Sequence, residues 1–121
     1  MRLLQASDYQ AVFERSRLKV STPEILFLAL PNDRQHPRLG LVIAKKNARL
    51  AVQRNRIKRI VRETFRQQQH QLIGLDVIVL ARRGLDTMEN HQLHETCNQL
   101  WLQLQNRAEK HRQRMATRSA G

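Results

Sequence analysis

Arg54, Lys58, Arg62 and Arg66 recur every fourth residue in a stretch that also carries Asn55, Arg56 and Arg59. On a helix turning 100° per residue, with Arg54 at zero, Lys58, Arg62 and Arg66 fall at about 40°, 80° and 120°. Asn55 falls at about 100° and Arg59 at about 140°, so six side chains share one face, while Arg56, near 200°, points away from it. The chemistry open to such a face is anion binding. Arginine outnumbers lysine five to one between residues 52 and 71, which suits bidentate contact with phosphate and stacking on unpaired bases. Asn55 adds a neutral donor and acceptor able to read a base edge or a 2′-hydroxyl. Like charges at i, i+4 spacing each cost about a few tenths of a kcal/mol in an isolated helix. The row is therefore unfavourable by itself and points to a partner outside the helix.

Other residue types give weaker signals. Metal-assisted phosphodiester cleavage by the chain itself needs converging carboxylates, and the acidic residues, Asp8 and Asp76 among them, are scattered along the sequence. His91 and His94 share a helix face but have no third ligand at useful spacing, so they read as surface histidines. Cys97 lies on an apolar stripe with Leu93, Leu100 and Trp101 and reads as a small core residue.

Charge distribution sharpens the reading. The 121 residues hold 22 Lys and Arg against 10 Asp and Glu, a formal net charge of +12. Residues 45–66 carry nine basic residues against Glu63 alone, and residues 107–118 carry five against Glu109, while the remainder is balanced. Uncompensated charge at this density indicates a polyanion, with nucleic acid ahead of a membrane surface. A hydrophobic fraction of 40% is too high for a disordered basic tail. No apolar run is long enough to span a bilayer, no signal peptide is visible, and one cysteine excludes an internal disulfide. The expected location is the cytoplasm.

The elements that must position the basic row follow from periodicity. Ser7 to Gln10 reads as a capping box, with Ser7 as the cap, opening a short helix with Tyr9, Val12 and Phe13 on one side. Strands are expected over Lys19–Ser21, Ile25–Leu30, Leu39–Ala44 and Asp76–Ala81, and Gly40 is a place for close backbone approach. Between the last two, Ile57, Ile60, Val61, Thr64 and Phe65 form the buried stripe of a helix from about Val52 to Gln71, ended by Gly74. Strand, helix and strand in this order make a crossover with parallel strands. A final helix is expected from a second box at Asp86–Glu89, its core side carrying Leu93, Cys97, Leu100, Trp101 and Leu104. One domain over residues 1–112 is expected, followed by a disordered basic tail at 113–121. The fold class is α+β: a small mixed sheet in a single-domain sandwich, helices mainly on one face.

Ala51 to Glu63, with Arg54-Asn55-Arg56 at its centre, closely resembles the signature helix of the bacterial ribonuclease P protein subunit family. The segments Arg38–Lys46, Asp76–Gly84 and Ser7–Phe13 are similar to the family as well, so the resemblance covers about Leu3 to Trp101. It implies a ribosomal-protein-like sandwich with a left-handed crossover around the basic helix. It implies a partner, the catalytic RNA, which with Mg²⁺ removes the 5′ leader from precursor transfer RNA. The chain itself would hold no cofactor, carry no catalytic residue, and need no membrane or obligate protein partner. By position, Lys45, Lys46, Arg49, Arg54, Asn55, Arg56, Lys58, Arg59, Arg62 and Arg66 would face the catalytic RNA. Tyr9, Phe13, Ile25 and Phe27 would form a cleft for the single-stranded leader, although Phe13 and Phe27 are equally eligible as core. A structural ribosomal or RNA-chaperone protein is the competing reading, and a self-sufficient endonuclease a third.

Overall fold

A computed structural model describes residues 2–120. The chain runs β1 (Arg2–Leu3), α1 (Ala6–Arg15), β2 (Leu18–Thr22), β3 (Ile25–Pro31), β4 (Arg38–Val42), α2 (Ala51–Gln68), β5 (Leu75–Ala81) and α3 (Asn90–Ala120). Short 3₁₀ turns at Gln69–Gln71 and Leu85–Thr87 lead into β5 and α3. The strands form one mixed sheet in the order β1-β4-β5-β3-β2. The β4–α2–β5 segment is the expected crossover: Leu39 pairs with Val77 and Leu41 with Val79 in parallel, while β3 runs antiparallel to β5.

β5 occupies the centre and reads as an unbroken apolar run after Asp76, because both of its faces are covered. On one face, α2 and α3 pack over Ile25, Phe27, Leu39, Val77 and Val79. The expected α2 stripe is buried throughout. Trp101 is the hub: its ring lies 4.3 Å from that of Phe27 and 5.5 Å from that of Phe65. Its indole N–H donates to Thr64 Oγ1 at 2.9 Å, and the Thr64 hydroxyl donates to the Val61 carbonyl, so the polar atoms of these two side chains are satisfied. On the other face lies a thinner layer, in which Val12 of α1 meets Leu4 and Ile78, flanked by Tyr9, Leu28, Leu30, Val42 and Leu80.

Three local expectations are corrected. α1 begins two residues earlier than a Ser7 cap requires. Leu4 still donates to the Leu39 carbonyl in line with β1, the helix starts at Ala6, and the Gln5 N–H donates to Asp8 Oδ2 at 2.9 Å. α3 begins later than an Asp86 cap requires. Gly84, at φ +94°, turns the chain into a 3₁₀ turn that buries Leu85, and the Glu89 N–H then donates to Gln92 Oε1 at the true start. Of the tail expected at 113–121, the described part to Ala120 is helical rather than disordered, and Gly121 lies outside the described residues. Among the residues up to 117, Ala108 is the last buried one and His111 is half-buried, so apolar periodicity does end there. The helix continues on the propensity of Arg, Gln, Met and Ala, with Glu109 paired to Arg112 at 2.7 Å.

Candidate nucleic-acid interface

α2 presents its basic row on the side opposite α3. Asn55, Lys58, Arg59, Arg62 and Arg66 line one shallow groove in which Glu63 is the sole acid. Asn55, Arg59 and Arg66 are exposed, and Lys58 and Arg62 half-buried. The Glu63 carboxylate stands 3.9 Å from Arg59 Nε and 3.7 Å from His94 Nε2, too far and too exposed to neutralise the row.

The Arg54-Asn55-Arg56 triplet divides its labour. Arg54 Nη1 donates to the Ala48 and Arg49 carbonyls, both at 2.9 Å, and so fixes the loop before the helix. Asn47 anchors the same loop by donating to the Ala81 carbonyl at 3.0 Å. Lys45, Lys46 and Arg49 stand exposed on that anchored loop. Arg56 faces away from the groove, as its helical angle requires. Its guanidinium donates to Gln53, to the Asp86 and Met88 carbonyls and to Asn90 Oδ1, strapping α2 to the start of α3. Of the three, Asn55 alone lines the groove.

The opposite face carries the second candidate surface. The end of the Tyr9 ring packs against the backbone at Gly40, and the Leu41 N–H donates to its hydroxyl at 3.1 Å. Phe13 is exposed to 46% beside it. Ile25 and Phe27 are not part of this surface. Both are fully buried under α2 and α3, because residues two apart in a strand share a face and theirs is the core face. The cleft-side residues of β3 are Leu26 and Leu28, half-buried and paired with Leu80 and Ile78 of β5. With Val42, paired to Leu80 from the other side, they form an apolar floor. Alternation sets Leu26 and Leu28 on one face and Ile25 and Phe27 on the other, but in a run apolar at every position it does not say which face is the core.

A charged cluster at the foot of α1 also escaped the sequence reading. Arg38, on β4, donates to Asp8 at 3.0 and 3.2 Å and to Asp76 at 2.8 and 2.6 Å, and Asn32 donates to the same Asp76 carboxylate. Asp8 and Asp76 therefore do converge, although their sequence positions are far apart. The guanidinium fills the space between them, so they do not fit a Mg²⁺ site. The Gln5 N–H and Arg38 hold the Asp8 carboxyl below the usual carboxylate range, and the two carboxylates hold Arg38 above its own. His91 stands 3.4 Å from Glu89, and no group of three potential metal ligands occurs among the described residues.

A protein-family model described as Ribonuclease P matches residues 1–105. The ribonuclease P protein component of Pseudomonas aeruginosa is 52% identical over 103 residues, covering 85% of this chain and 76% of that protein. That of Idiomarina loihiensis is 42% identical over 114 residues, covering 94% and 91%. Among solved structures, the Staphylococcus aureus RNase P protein superposes with a TM-score of 0.74 at 28% identity, covering 82% of this chain and 90% of that one. The Thermotoga maritima RNase P protein gives 0.70 at 27% identity, covering 84% and 96%. The family model, the relatives and the solved structures thus agree, and the chain belongs to the ribonuclease P protein component family.

Proposed function

We propose that this chain is the non-catalytic, RNA-binding subunit of ribonuclease P, gripping the catalytic RNA with one face and the precursor's 5′ leader with the other. Membership of the family gives it a part in transfer-RNA processing within a ribonucleoprotein. The observation that carries the finer reading is the α2 groove, where four cationic side chains and Asn55 meet a single acid. A phosphate backbone seated there releases counterions and relieves the mutual repulsion of the row. The anchored loop adds Lys45, Lys46 and Arg49 to the same end of α2. On the other face, Tyr9 and Phe13 above Leu26, Leu28, Val42 and Leu80 offer rings and apolar surface on which unpaired bases stack without strong sequence demand.

In this reading the chain supplies binding and charge screening, and Mg²⁺ enters with the RNA. Binding the leader raises affinity for the precursor over mature transfer RNA, and screening lowers the Mg²⁺ needed for cleavage. The test is cleavage of a precursor transfer RNA by bacterial ribonuclease P RNA at low Mg²⁺, with and without this protein. Strong stimulation with trimming at the mature 5′ end is expected. A folded, RNA-binding chain that gives no stimulation would overturn the reading in favour of a ribosomal or chaperone role.

A further inference from the structure

The second basic segment has no place in the reading above. In the structure it forms the wall of a groove. Arg107, Lys110 and Arg114 recur along one side of α3, and Arg17, in the turn between α1 and β2, faces them across a space of about 460 Å³. Gln103 and Asn106 line the same groove with neutral donors, and no acid does. Arg17, Arg107, Lys110 and Arg114 are all exposed. None of the four is in an ion pair among the described residues, in contrast to Arg112, which Glu109 holds on the neighbouring face. Three of the four lie beyond residue 105, where the match to the family ends.

Position decides which polyanion fits. α3 lies against the side of α2 that carries Arg56, Thr64 and Gln68. The α2 row is on the other side and shares no residue with this groove. A strand seated on the α2 row would have to pass around the domain to reach Arg17. The cleft is closer. Arg17 directly joins α1 and β2, which flank the cleft, and the exposed Lys19 of β2 pairs with Leu28 of the cleft floor. Cations therefore continue from the cleft edge, through Lys19 and Arg17, to the α3 wall.

We propose that the groove between Arg17 and the C-terminal turns of α3 holds the phosphate backbone of the leader where it leaves the cleft, extending the leader track beyond the bases stacked near Phe13. This inference rests on the cleft being the leader site. It assigns the basic extension of α3 a role that depends on leader length, with phosphate contacts and no base reading.

The test uses the holoenzyme reconstituted from the full chain and ribonuclease P RNA. Its substrates are one precursor transfer RNA without a leader, with a leader of about 4 nucleotides, and with one of about 12. In the variant R107A/K110A/R114A all three changes are at exposed helical positions, and alanine keeps helix propensity. Unchanged helical content and unfolding midpoint establish that it folds. Affinity for the long leader is expected to fall about tenfold, with the salt slope of binding lower by about two to three. Affinity for the short leader and for the catalytic RNA is expected to stay within about twofold, and R107K/R114K to keep most of the wild-type slope. Equal losses for both leaders, or weaker catalytic-RNA binding, would overturn the proposal and give the groove to the catalytic RNA. No loss for either leader would overturn it as well. If the wild type binds the short leader no better than the leaderless RNA, the cleft reading itself fails and the proposal falls with it.

Discussion

The phenol of Tyr9 occupies the place where a Cβ on residue 40 would stand: a methyl group there would lie 2.6 Å from the ring's Cζ and 2.7 Å from its hydroxyl oxygen. Gly40 is thus required by its neighbour rather than by its own backbone, since its φ is not in the left-handed region. The contact seats α1 on the sheet and gives the Leu41 N–H, beyond the end of β1, its acceptor.

Gly40→Ala is expected to push the ring off the strand and destabilise the fold by about 1–3 kcal/mol, the usual range for overpacking. Combining it with Tyr9→Ala removes the clash, so the double variant should lose less than the sum of the two single losses. Urea unfolding of the four proteins measures this coupling. Additive losses would show that the ring and the strand do not meet.

The cluster around Arg38 predicts an acid limb. Asp8 has a lowered pKa, so its hydrogen bond from the Gln5 N–H and its ion pair with Arg38 contribute stability above the ordinary carboxylate value of 3.8, and that contribution is lost as pH falls through the lower folded value. The unfolding midpoint should therefore fall more steeply in acid for the wild type than for Asp8→Asn. Arg38→Met is expected to cost about 3–5 kcal/mol at neutral pH, because it leaves Asp76 buried without its cation. A loss below about 1 kcal/mol would mean that Asn32 alone satisfies that carboxylate.

The triplet arginines should separate by phenotype. Arg56→Ala breaks the strap from α2 to the Asp86 and Met88 carbonyls and is expected to lower stability by about 1–3 kcal/mol. Arg59→Ala and Arg66→Ala, both exposed in the groove, should leave stability within about 0.5 kcal/mol. Each is instead expected to weaken catalytic-RNA binding and to flatten its salt slope by about one unit. The paired measurements are urea unfolding and binding titrations at several salt concentrations. An unchanged slope removes that residue from the contact surface.

How much of this was legible in the sequence differs between helix and strand. The α2 row and its buried stripe could be read directly, because Ile57, Ile60, Val61, Thr64 and Phe65 are apolar or small where their neighbours are charged. The run Ile25 to Leu30 is apolar at every position, so its period of two marks no face. Its facing is set by the register with β5 and by the large rings of Phe65 and Trp101, which come from distant parts of the chain. The Asp8–Arg38–Asp76 cluster was illegible for the same reason: its members meet only when α1, β4 and β5 are in place. The helical tail was illegible because residues 112–117 carry no buried face, so no apolar period marks the helix there.

The two faces of β3 should respond differently to substitution. Phe27→Ala empties space beside Trp101 and is expected to cost about 3–5 kcal/mol of stability. Leu26→Ser and Phe13→Ala, on the cleft side, should fold with losses near about 1 kcal/mol. They should instead lower holoenzyme affinity for precursor transfer RNA about tenfold, the scale of one lost base stack, with mature transfer RNA unaffected. Unchanged precursor affinity in both variants would move the leader off this face.

Cys97 offers a probe of the whole fold. It is fully buried on α3 between Leu93 and Trp101, and burial pushes its thiol up to about 12, a hydrogen bond with Thr64 opposing the shift only in part. At pH 8 the thiolate fraction inside the native protein is then roughly one in ten thousand, and no reagent reaches the sulfur without opening the helix layer. Alkylation by iodoacetamide should be slow in native buffer and should follow the population of the unfolded state. Urea and Gly40→Ala should therefore accelerate it by the factor by which each raises that population. The exposed R107A/K110A/R114A changes should leave it unaltered. Rapid labelling that ignores Gly40→Ala would instead show that α3 detaches on its own, and that the contacts of Trp101 with Phe27 and Phe65 do not tie it to the sheet.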